Sequence, residues 1–167
     1  DMKMAKGIKG MKVKGMKKEK KMKGGMKGKK GGAQPVIFDT DYGPFIDDVF
    51  ALGLIVNSGD LLDLKAVVTT SIDTDLSSKC VAKHLDLAGR SDIPVLSGAP
   101  LPAESERGGV CALTEFVGFA LKEECQDVTL PFEENGVEAL AKMLEESGRD
   151  DWWYIVVGGQ TSLKELV

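Results

Sequence analysis

From residue 35 onward, short unbroken apolar runs alternate with stretches in which apolar positions recur every three or four residues. Val36, Ile37 and Phe38 form a run without polar alternation, the pattern of a parallel strand covered on both faces. Residues 46–57 follow at helical spacing, and Asp47 and Asp48 put negative charge at the positive end of that helix's dipole. A second strand is predicted over 64–70, with Ala66, Val67 and Val68 at its centre. After it, Asp75 suits the N-cap of a helix in which Val81, Leu85 and Ala88 share a face, and Gly89 suits its end. Residues 93–97 predict a third strand entered through Pro94, followed by a loop over 98–107 with two prolines. Helices are expected over 114–124 and 136–147, then a buried strand over 153–157 ending at Gly158-Gly159. Strand and helix in regular alternation imply right-handed crossovers and an α/β fold: an open, mostly parallel, Rossmann-like sheet with flanking helices. Ligands of such sheets bind at the carboxyl ends of the strands, near the switch in strand order.

Residues 1–34 break the pattern. They repeat Lys, Gly and Met in irregular units and hold 13 of the 22 basic side chains against two acids, Asp1 and Glu19. The net charge of -4 therefore conceals a strongly basic segment and a strongly acidic one. Frequent glycine and dense like charge cannot bury enough apolar surface to offset ordering entropy, so 1–34 is expected to be a disordered basic tail. Its partner would be a polyanion; the bland alternative is a solubilising extension with no fixed ligand. The remainder, 35–167, is long enough for one core. The tail is not an apolar signal region, and no run is long enough to span a bilayer. Cys80, Cys111 and Cys125 form no CxxC pair, which argues against zinc and a dense disulfide framework. Buried free thiols are expected, with a single bridge left open.

Composition leaves the chemistry open until the end of the first strand is reached. Residues 39–48 read Asp-Thr-Asp-Tyr-Gly-Pro-Phe-Ile-Asp-Asp, four carboxylates with no basic residue among them. Two such charges about 4 Å apart repel by ~1 kcal/mol even at the dielectric of water, and by several times that near a protein interior. A half-buried cluster therefore requires protons, Arg or Lys partners, or a metal. Oxygen-only ligation favours a hard cation, Ca²⁺ or Mg²⁺, over zinc.

The order Asp-x-Asp, a glycine, then Asp-Asp at a helix start resembles the signature of the inosine-uridine-preferring nucleoside hydrolases. The likeness continues through 66–70, Leu87-Ala88-Gly89-Arg90, Ile93-Pro94-Val95-Leu96-Ser97-Gly98 and Ile155-Val156-Val157-Gly158-Gly159-Gln160-Thr161-Ser162-Leu163. It covers 35–167 and leaves out the tail. The resemblance implies a Ca²⁺ ion held by Asp41, Asp48 and the main-chain carbonyl of Val157. Asp47 would accept hydrogen bonds from ribose hydroxyls, Asp73 (or Ser71) would contact the sugar, and Asp39 would support the others from behind. The implied reaction is hydrolysis of the N-glycosidic bond of ribonucleosides to free base and ribose. Asp41 would take a proton from the attacking water, whose pKa the metal lowers, and nearby carboxylates would stabilise the oxocarbenium-like charge. The chain departs from the family pattern in two places. Pro44, Phe45 and Ile46 stand between Gly43 and Asp47 where the motif has one residue, and no His-Gly loop is recognisable in 99–112. Family members also continue past the position of Val167 into a His-Asp pair and an Asn-containing substrate loop. The chain is therefore expected to be an amino-terminal part of that fold, with incomplete activity.

Other readings of the same residues stay open. Asp39-Thr40-Asp41 at a strand end also resembles the loop of Mg²⁺-dependent haloacid-dehalogenase-type phosphatases, although Gly43 stands where that class prefers Thr or Val. A third reading is a non-catalytic binding domain whose tail is the working part. His84, the single histidine, is expected in a surface or half-buried structural role, and Trp152 and Trp153 in core and rim packing. Expected partners are a ribonucleoside, a polyanion at 1–34 and, if the domain oligomerises, a second copy of the chain. The compartment stays open between cytoplasm and secretion after processing.

Overall fold

The computed structural model describes residues 32–43, 46–101 and 122–167. Within them, β1 (Gln34–Thr40), β2 (Leu62–Thr69), β3 (Val95–Ser97) and β4 (Trp153–Val156) form one sheet in the order β3-β2-β1-β4. Every strand pairing in it is parallel. Helices α1 (Ile46–Val56), α2 (Thr74–Leu87), α3 (Gly136–Ser147) and α4 (Thr161–Leu166) complete the α/β architecture predicted from the alternation.

Alternation of side chains across the central strand explains the two layers of helix. Val36 and Phe38 pack with Leu52 and Ile55 of α1 and with Val81 and Leu85 of α2. Ile37, between them, joins Leu140 of α3 and Leu166 of α4 in a second core on the opposite face. Strand β2 follows the same alternation only because of one irregularity. Val36 pairs with Leu64 but Ile37 pairs with Ala66, so Lys65 is bulged out. The bulge leaves the ammonium group exposed while Leu64 and Val67 stay on one face and Ala66 and Val68 on the other.

Several sequence expectations need correction. The N-cap of α2 is Asp73, whose Oδ1 accepts from the Leu76 amide at 3.0 Å. Asp75 lies inside the first turn and accepts instead from Ser97 Oγ at 2.6 Å. Strand β3 begins only at Val95, since Pro94 has no N–H for a ladder and contributes its carbonyl to Val67. Strand β4 is half-covered rather than buried, with Trp153 55% exposed, because among the described residues it pairs with β1 alone. Cys80 and Cys125 form a disulfide, where free thiols were expected. The bridge joins α2 to a helical stretch over 122–125 and closes a span of 45 residues, a contact that no spacing rule reveals.

Cys111, most of the helix expected over 114–124 and residues 1–31 of the basic tail lie outside the described residues, and Gln34, the last residue assigned to the tail, opens β1. Among the described residues no helix is long and apolar enough to cross a membrane.

Candidate active site

Strand β1 is buried from Pro35 to Thr40 and delivers Asp39 and Asp41 to the carboxyl edge of the sheet. The chain then turns through Gly43 at φ 134°, a backbone conformation that side-chain-bearing residues rarely adopt. Strand β4 ends beside it. The Val157 amide donates to the Asp39 carbonyl at 3.0 Å, and a Cβ added to Gly158 would lie 2.4 Å from the Asp41 nitrogen. Only glycine permits that approach. With β2 and β3 on one side of β1 and β4 on the other, the loops after β1 and β4 meet where strand order reverses, the usual place for a ligand crevice.

Asp39 has no accessible surface, and its hydrogen bonds can be accounted for donor by donor. Thr70 Oγ1 donates to Oδ1 at 2.6 Å, and the Tyr154 hydroxyl donates to Oδ2 at 2.8 Å. Thr70 has then spent its one proton, so its bond with Ser162 Oγ must be donated by Ser162. Ser162 Oγ in turn accepts from the Ala99 amide at 2.9 Å. Every donor points toward Asp39, which makes it the terminal acceptor, a carboxylate. Its pKa is raised all the same, because burial, with the Asp41 charge added to it, outweighs the lowering by the Thr70 and Tyr154 hydroxyls. Burial and the facing Asp39 charge hold the Tyr154 phenol well above its ordinary value, so it remains a donor. The string ties β1 to the residue after β2, to β4, to the start of α4 and to the loop after β3.

Asp48, at the start of α1, is 3% exposed and accepts from Thr40 Oγ1. Burial, with the charges of Asp41 and Asp47 beside it, raises its pKa to about 6. Asp41 is half-buried, and burial with the Asp47 charge pushes its pKa up as well. Asp47 is exposed. Among the described residues no ion pair reaches any of these four acids. The fold thus gathers Asp39, Asp41, Asp47, Asp48 and the Val157–Gly158 turn. It sets Asp73 apart in one respect, because that carboxyl is engaged in capping α2. Ser71, the alternative at that place, is buried with its Oγ 2.7 Å from Ser77 Oγ.

Among the described residues no three His, Cys, Asp or Glu side chains converge to hold a metal ion, so carboxylates alone do not complete a coordination shell here. The donor chemistry nevertheless fits a hard cation: buried, mutually repelling carboxylates without a basic partner, and the main chain of the β4 turn pressed against Asp41. Sequence reasoning missed the hydroxyls of Thr40, Thr70, Tyr154 and Ser162 that support the acids. Their one signal was position, since Thr40, Thr70 and Ser162 all fall at the carboxyl ends of predicted strands or in the turns that follow.

The family model described as inosine-uridine preferring nucleoside hydrolase matches residues 36–167. No curated protein matches the chain in sequence. Among solved structures, a plant nucleoside hydrolase, the PpNRh1 enzyme, is 27% identical with a TM-score of 0.56, over 80% of this chain and 42% of that one. The chain thus corresponds to less than half the length of the plant enzyme.

Proposed function

The chain belongs to the inosine-uridine preferring nucleoside hydrolase family, and from that membership we propose that it serves hydrolysis of the N-glycosidic bond of ribonucleosides, with Ca²⁺ as its metal. The observation that carries the reading is the uncompensated acidic cluster at the switch point, where buried Asp48 and half-buried Asp41 meet the end of β4 with no basic side chain among the described residues paired to them. Asp41, Asp48 and the Val157 carbonyl would hold the ion, and water or other oxygen donors would fill the rest of its shell. Bound there, it would lower the pKa of a water and orient the sugar diol.

The remaining steps fall to the chain's own residues. Asp41, half-buried and without a side-chain donor among the described residues, takes the proton of the attacking water. Exposed Asp47 accepts from ribose hydroxyls, and Asp73 approaches the sugar from the start of α2. Asp39 touches neither water nor sugar; its hydroxyl string keeps the ends of β1 and β4 in register. Residues 1–33 act as a basic tail that binds polyanions, a role supported by charge alone.

Calorimetric titration of Ca²⁺ into the 167-residue chain tests the metal assignment. Asp41→Asn and Asp48→Asn should each weaken binding, whereas Asp47→Asn should spare Ca²⁺ and weaken a ribose analogue. Equal loss of Ca²⁺ in all three would refute the division of roles. Reducing sugar released from inosine or uridine supports the reaction; phosphate released from sugar phosphates under Mg²⁺, with no ribose, would favour phosphatase chemistry instead.

A further inference from the structure

Behind the acidic loop runs a second polar string that the reaction above does not use. Tyr42, next to Asp41, is 1% exposed and packs in the core formed by β1, α1 and α2. Its hydroxyl lies 2.6 Å from Nδ1 of His84 on α2, and the other ring nitrogen, Nε2, faces Glu124 Oε1 at 3.6 Å. The phenol oxygen can donate to Nδ1 or accept from it, so the two side chains pair whichever ring nitrogen carries the proton. Glu124 is itself held in place. Lys83 Nζ reaches both its Oε1 and its main-chain carbonyl at 3.2 Å, and the adjacent Cys125 is bonded to Cys80. Cys80 lies four residues before His84, on the same face of α2.

The geometry points to Tyr42 and His84 as positioning residues that anchor the acidic loop to α2 and so hold Asp41 and Asp48 against the end of β4. The inference rests on reading that loop as the metal-holding and catalytic element. A ring at position 42 would fill the core equally well as phenylalanine. The hydroxyl adds a desolvation cost that only a partner offsets, so its pairing with a half-exposed histidine calls for a reason beyond packing. The loop supplies one. Asp41 directly follows β1 and Asp48 lies in the first turn of α1, so the two acids belong to different elements and need a contact that fixes one to the other. Between the end of β1 and the start of α1, Tyr42 is the buried side chain of the described loop residues, Asp41 and Gly43 being half-buried. Its bond to His84 fixes the chain between the two acids from a helix that neither acid belongs to. The disulfide and Lys83 keep Glu124, and through it the imidazole, from swinging away.

Tyr42→Phe retains the ring and removes only the hydroxyl; His84→Leu removes the same bond from the other side. In the 167-residue chain without metal, hydrogen exchange of the amides of 41–43 and 46–49 should rise about fivefold in either variant, the worth of one neutral hydrogen bond. Amides of β2 and the middle of α2 should keep their protection, and the double variant should be no worse than either single one. Ca²⁺ affinity, measured by calorimetry, should fall by a similar factor. Unchanged exchange in the loop, or a rise spread evenly over the domain, would overturn the positioning role. Faster loop exchange in the variants of a chain that binds no Ca²⁺ would instead support positioning and refute the metal reading.

Discussion

Asp48 should weaken the metal-free fold at neutral pH, and replacing it should stabilise that fold. Its carboxyl is 3% exposed, and its pKa in the folded chain is about 6 against an ordinary 3.8. Between those values the native state holds a proton that the unfolded state has released. The stability this contributes is fully present below 3.8 and is lost as pH rises through about 6. Above that window the buried charge costs up to about 3 kcal/mol, at roughly 1.4 kcal/mol per unit. Asp48→Asn stays neutral throughout, and its side-chain carbonyl still accepts from Thr40. Urea unfolding in chelator, followed by Trp152 and Trp153 fluorescence, should therefore show the variant more stable by about 1–3 kcal/mol near pH 7, with the gain shrinking below pH 5. Excess Ca²⁺ should reverse the order, because an ion at about 100 times its Kd adds roughly 2.7 kcal/mol to the chain that binds it and little to one that has lost a ligand. An Asn variant that is less stable in chelator, by the same amount at both pH values, would show that the carboxylate is satisfied as it stands.

Tyr154→Phe should cost about 1–3 kcal/mol in the same assay, since it strips one of two hydroxyl donors from fully buried Asp39; a loss below about 0.5 kcal/mol would contradict the donor accounting. Reducing the Cys80–Cys125 bridge, with its span of 45 residues, should remove up to about 4 kcal/mol, and thermal melts with and without reductant check it against a Cys80→Ala/Cys125→Ala control that reductant should not affect. Deleting residues 1–31 should leave the melting of the domain unchanged but abolish retention on heparin, and the intact chain's retention should fall steeply as salt rises; equal retention of both chains would remove the polyanion role.

How much could be read from the chain depended on whether the signal was local. The apolar triplet Val36 to Phe38 has little choice but a doubly covered strand, and β1 is buried at every position after Gln34. Residues 136–147 carry helical spacing and a glycine stop, and α3 has those bounds. Boundaries slipped where two polar residues could play one part, as Asp73 and Asp75 do at the start of α2. Strand β4 was misjudged because burial depends on how many neighbours a strand has, which its own residues do not encode. The acidic cluster was legible because four acids crowd into ten residues. Its supports were not, since Thr70 and Tyr154 lie 31 and 115 residues from Asp39, and His84 lies 42 from Tyr42.

Those long-range contacts also rank the acids. Asp39 receives two side-chain hydroxyl donors, Asp48 one, and among the described residues Asp41 and Asp47 receive none. Acceptor capacity that is filled fixes a carboxylate to the scaffold, while capacity left open is available to a cation, a water or a sugar. A lysine or arginine beside the cluster would relieve the repulsion and steady the fold, yet it would also neutralise the charge that a cation or a developing oxocarbenium ion needs. Hydroxyls avoid that conflict, because they orient a carboxylate without cancelling it. The cost remains in the raised pKa of Asp48, and the two helix-covered cores together with the bridge between α2 and 122–125 must offset it. On this argument Asp41 and Asp47 are the acids open to chemistry, and Asp41, half-buried against the end of β4 while Asp47 faces solvent, is the one to assign as base.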